Sequence, residues 1–88
     1  MKKNMKLTKG NKIQITWLDA FGRGSWNTQE DVEDGLKNYI KCEIIGYFIK
    51  KDKNFIALSM GIQNDPNSIP FLCIEFIPIG CIINIKKL

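Results

Sequence analysis

Eighty-eight residues with 44% hydrophobic and 25% charged side chains suit one small folded domain and exclude a multidomain enzyme or a disordered tail. Histidine is absent, which removes the usual general base and zinc ligand near neutral pH and with them histidine-dependent hydrolysis and zinc fingers. The net charge of +4 is unevenly placed: Lys2, Lys3, Lys6, Lys9 and Lys12 precede residue 13, and the remainder carries eight basic and nine acidic side chains, net −1. The chain therefore divides into a basic N-terminal arm, 1–12, and a near-neutral domain, 13–88, without a basic stripe through its body.

Residues 13–18 alternate, with Ile13, Ile15 and Trp17 on one face and Gln14 and Thr16 on the other, which predicts a strand. Residues 19–38 lose that period. Gly22, Gly24, Ser25, Asn27 and Gly35 interrupt a polar, acidic stretch, which predicts a long loop. Thr28 with Asp31 three residues on reads as a helix cap, so one or two helical turns are expected within 28–36.

Residues 39–50 and 55–60 are rich in β-branched and aromatic side chains on either side of a Lys-Lys-Asp-Lys-Asn turn, which predicts a hairpin, with Gly46 marking a bulge or sharp bend. A loop over 61–68, a strand over 69–77, a Pro78-Ile79-Gly80 corner and a short last strand over 81–86 complete the chain. The expected fold is all-β: five strands in a small, strongly bent antiparallel sheet, closed into an SH3-like or Sm-like barrel. The alternative is an open sheet with one helix packed on it.

Cys42, Cys73 and Cys81 lie among apolar neighbours without metal-ligand spacing, so they are expected to be buried hydrophobes rather than a disulfide framework. No apolar run reaches bilayer length and the basic start leads into no apolar leader, so a cytoplasmic protein with no membrane partner is expected. Both faces of 44–49 and 71–77 are apolar, more than one small barrel needs, which points to a homo-oligomer unless the 19–38 loop folds over the outer face.

Trp17-Leu18-Asp19-Ala20, Ser25-Trp26, Ile45-Gly46-Tyr47, Ile56-Ala57-Leu58 and Ile77-Pro78-Ile79-Gly80 follow one another in an order that resembles a group of small phage-encoded proteins. The resemblance implies an SH3-like barrel of phage or prophage origin. By analogy with other small oligomeric phage proteins, it makes sequestration of a nucleotide signal from bacterial defence an expected role. Ile79 replaces the lysine usual at that corner, and the basic arm is an addition.

The residues of the loop supply chemistry for such a ligand. Trp26 can stack on a base, Arg23 can grip phosphate, Gly22 and Gly24 can let backbone amides approach, and Asp19 can accept from a ribose, with Ser25 and Asn27 beside them and Tyr47 and Asn64 as outlying candidates. Each has a plainer reading: Trp26 in the core, Arg23 paired with neighbouring acids, Asp19 capping its own turn, Tyr47 in packing and Asn64 in a turn. The leading expectation is a non-enzymatic binder with no cofactor, catalytic residue or metal ligand. Nucleic-acid binding through the 2–12 lysines and inhibition of a host protein through an apolar face are the alternatives.

Overall fold

A computed structural model describes residues 6–88; Lys2 and Lys3 of the expected basic arm lie outside the described residues. The elements run β1 (Lys12–Leu18), α1 (Gln29–Lys37), β2 (Lys41–Lys51), β3 (Phe55–Ile62), β4 (Phe71–Pro78), a 3-10 turn (Ile79–Cys81) and β5 (Ile82–Lys87). All five strands form one antiparallel sheet in the order β4-β3-β2-β1-β5. No described helix is long and apolar enough to cross a membrane.

β4 and β5 stand at opposite ends of that order, yet three residues join them. Four strand spacings in a flat sheet cover about 19 Å, whereas the link spans at most about 14 Å when fully extended. The sheet must therefore curl. Ile79 N–H anchors the corner by donating to Asn54 O at 2.9 Å, in the turn between β2 and β3. No ladder joins β4 to β5, so the sheet stays open along that seam and the expected closed barrel is not formed.

The concave side collects Ile13, Ile15, Phe48, Ile56, Leu58, Ile77, Ile82 and Ile85, all buried, with Leu7, Trp17, Ile44 and Ile79 packed against them. Register shifts make this possible. Opposite Thr16 and Trp17, the β5 partners step from Asn84 to Ile82, so Ile82 and Ile85 reach the same side although they are three residues apart. In the same way, Phe48 pairs with Leu58 but Lys50 pairs with Ala57, so the bulge falls at Ile49, not at the expected Gly46. Gly46 instead allows close approach: a Cβ there would lie 2.8 Å from Leu58 Cδ1 and 2.8 Å from Ser59 O.

Beyond Ser59, β3 leaves β2 and runs on with β4 alone through Gly61 and Ile62, two residues further than the sequence predicts. The buried Ser59 side chain holds this departure together. Its hydroxyl lies 2.6 Å from Gly61 O and 2.9 Å from Leu72 O, and it accepts from Leu72 N–H at 3.0 Å. Opposite the interruption, Cys73 takes a left-handed φ of 50°.

One expectation about burial fails here, and one alternative with it. Cys73 and Cys81 are exposed and Cys42 is half-buried, because β4 has neighbours only on the β3 side and the 3-10 turn lies outside the core. Nor does the 19–38 segment cover the outer face, since no residue from 19 to 40 is buried and α1 has no buried side chain. The helix is therefore not packed on the sheet. The Cα radius of gyration is 16.6 Å, where about 12 Å is expected of a compact chain this long.

The described part of the basic arm lies against the domain. Gly10 N–H donates to Phe48 O and Phe48 N–H to Asn11 O, each at 2.8 Å, while Leu7 touches the core. The Gly46→Ala variant is expected to lose about 1–3 kcal/mol of stability, because its methyl group meets backbone as well as a core leucine. Chemical denaturation read by tryptophan fluorescence checks this.

Candidate functional site

Residues 19–40 form an excursion from the end of the β1–β2 ladder, where Leu18 pairs with Lys41. Local bonds shape it. Thr28 caps α1 from an extended conformation, its hydroxyl accepting from Asp31 N–H at 3.1 Å while Asp31 accepts from Thr28 N–H at 2.8 Å. This is the capping box expected from the Thr28–Asp31 spacing. At the other end Asn38 N–H donates to Asp34 O and its side chain to Asp34 Oδ1 at 2.7 Å.

Arg23 ties the loop back to the helix. One terminal nitrogen donates to Asp31 O at 3.2 Å and the other meets Asp34 Oδ2 at 2.5 Å. Asn27 donates to Ser25 O at 3.1 Å, and Ser25 has a φ of 65°, so the tight loop before Thr28 is fastened by its own side chain. Asp19 accepts from Ala20 N–H at 3.0 Å, which is its plainer role as a local cap. Trp26 projects from this loop with its side chain wholly in solvent, at 100% relative exposure, so it is not a core residue. Trp17 packs against the core, as expected.

The eight candidate residues do not form one pocket. Arg23 and Asn27 share a shallow hollow of about 250 Å³ with Phe21, Gly22, Asp31 and Val32. Asp19 lies on an adjoining hollow of about 380 Å³ that shares Phe21 and Val32 with the first and adds Leu36 and Tyr39. Tyr47 and Asn64 share a third, of about 480 Å³, with Gly10, Met60, Gly61 and Ile62. Gly24, Ser25 and Trp26 line none of the three.

Charge decides what the first hollow can accept. Asp34 is held below the ordinary aspartate value of 3.8, chiefly by the hydrogen bond from Arg23 and then by that from Asn38. Asp31 is held below it chiefly by the Thr28 backbone N–H and then by the Thr28 hydroxyl. Both carboxylates stay ionised near neutral pH, and Arg23, raised above the ordinary arginine value chiefly by its bond to Asp34, is committed to them. A phosphate at Arg23 must compete with Asp34. Phe21, Val32 and Asp34 adjoin Arg23 but carry no sequence motif that would mark them, and Asp31 is marked only as a cap residue; Arg23 and Asp34 are eleven residues apart.

Among the described residues, no group of three or more acidic, cysteine or histidine side chains is placed to hold a metal ion. Searches of protein-family models, curated proteins and solved structures find no match to the chain.

The 19–40 excursion, an arm outside the sheet, is expected to be acid-sensitive. Carboxylates depressed in the folded state contribute their full stability above the unfolded value and lose it as pH falls through the folded one. Lowering the pH from 5 to below 3.8 should therefore remove helical circular dichroism before sheet signal. Asp34→Asn should weaken the helix at neutral pH and blunt that response.

Proposed function

We propose that the chain is a non-enzymatic binding protein whose recognition element is the 19–40 arm, and that Trp26 holds the base of a small nucleotide-derived ligand. The observation carrying this is the indole itself. An unburied tryptophan leaves a large flat apolar surface in water, and stacking on a base is worth about 1–3 kcal/mol. The Asn27 bond to Ser25 O and the Thr28 cap restrain the backbone on both sides of it, so little order remains to be lost on binding. The resemblance to small phage proteins supplies the setting, a cytoplasmic phage product that sequesters a defence signal. The strand order and short 3-10 corner support an SH3-like barrel with an open seam.

Arg23 takes a different part from the one its type suggests. Fastened to Asp31 and Asp34, it braces the arm and leaves the ligand's phosphates to other cations. Nucleic-acid binding is a second reading, favoured by one contact: Lys87 Nζ donates to Lys6 O at 3.3 Å, which gathers lysines from both ends of the chain.

Native mass spectrometry of gently purified protein, followed by titration with cyclic dinucleotides, tests the proposal. A retained nucleotide-sized mass and a loss of affinity of about 5- to 100-fold in Trp26→Ala are expected. Arg23→Ala and Asp34→Asn should both reduce binding by loosening the arm. Tighter binding in Asp34→Asn would instead make Arg23 the phosphate ligand. No nucleotide bound by the wild type would reject the reading.

A further inference from the structure

The two ends of the β1–β2 ladder differ in charge, and each carries unburied apolar surface. At the Leu18 end, residues 19–40 contain five acidic side chains against Arg23 and Lys37. The same segment exposes Trp26 fully and Leu36 at 74%. At the Lys12 end, Lys86 and Lys87 pair across β1 with Gln14 and Ile13, and Lys6 is bonded to Lys87. Lys9 Nζ stands 5.2 Å from the centre of the Phe71 ring, which joins this basic cluster to the β3–β4 tip. There Ile69 is 83% and Leu72 63% exposed.

One molecule cannot bring these ends together. They are the opposite ends of a seven-residue strand, about 20 Å apart, and β1 is held rigid between β2 and β5. A second copy can. We propose that the basic, apolar end of one copy seats on the acidic, apolar arm of another, in a head-to-tail contact. The signs are complementary, and each end also exposes large apolar side chains, Trp26 and Leu36 on the arm and Ile69 and Leu72 at the tip. Burial against a neighbour also supplies the tertiary packing that α1 lacks within its own chain. Because the contact joins two different surfaces, it repeats, giving a closed ring or an open filament.

This goes beyond the ligand reading and does not require it; the arm remains an assembly surface even if Trp26→Ala leaves nucleotide binding unchanged. The test is sedimentation velocity on nucleic-acid-free wild-type protein at low and high salt, with two charge-reversed variants at exposed positions, Glu30→Lys/Glu33→Lys and Lys86→Glu/Lys87→Glu. The wild type is expected at twice 10.1 kDa or more in low salt, shifting toward monomer as salt screens the contact. Each variant alone should be monomeric, and an equimolar mixture should reassociate, since each still carries one native end. A wild-type monomer at low salt and high micromolar concentration overturns the proposal. So does assembly that neither variant changes. If the lysine variant sheds nucleic acid while the stripped wild type stays monomeric, the basic end serves nucleic acid instead and the self-contact is likewise overturned.

Discussion

A three-residue link between the two outermost strands of the sheet governs this molecule. Because Ile79–Cys81 must carry the chain from β4 to β5 across a five-strand order, the sheet cannot lie flat, and one face becomes an interior. The bulges on β2 and β5 and the missing side chain of Gly46 follow from the same demand. They let strands that curl past one another keep isoleucine, leucine and phenylalanine on the concave side. The β4–β5 seam needs no ladder because the link and the core already hold those strands.

The interior so formed is small. Among the described residues eight hydrophobic side chains are buried, all of them on strands, and the arm between β1 and β2 contributes none. A nine-residue helix without tertiary packing is marginal in water. The arm therefore persists through short-range polar bonds: the Thr28 capping box, the Asn38 cap and the bridge from Arg23 to Asp34. That dependence explains why the one arginine, which by type is a candidate phosphate ligand, is occupied within the chain.

Elements with local signals were legible in the sequence. Alternation marked β1, composition marked the β2–β3 hairpin, and the Thr28–Asp31 spacing marked the start of α1. What escaped depends on contacts distant along the chain. Nothing local indicates that Ser59 will fill a gap opposite Leu72, or that β3 will outlast its pairing with β2. Cys73 and Cys81 read as buried because their neighbours are apolar, but β4 is an edge strand and its surplus isoleucine, leucine and phenylalanine remain outside. Residue type picks out candidates in the sequence but not their grouping: Arg23, Trp26 and Asn27 share one loop, whereas Tyr47 and Asn64 meet around Gly10 at a separate hollow. Asp34, the residue that decides what Arg23 can do, is placed only by the fold.

The central claim is that curled sheet and arm are energetically separate, the first held by a shared core and the second by its own polar bonds. Amide hydrogen exchange on dilute protein tests it most directly. Protection at Ile15 and Leu58, inside the sheet, should exceed that along residues 32–37 of α1 by at least about a hundred-fold, because the helix opens without unfolding the core. Equal protection in helix and sheet would contradict the account, since it would make arm and core one cooperative unit.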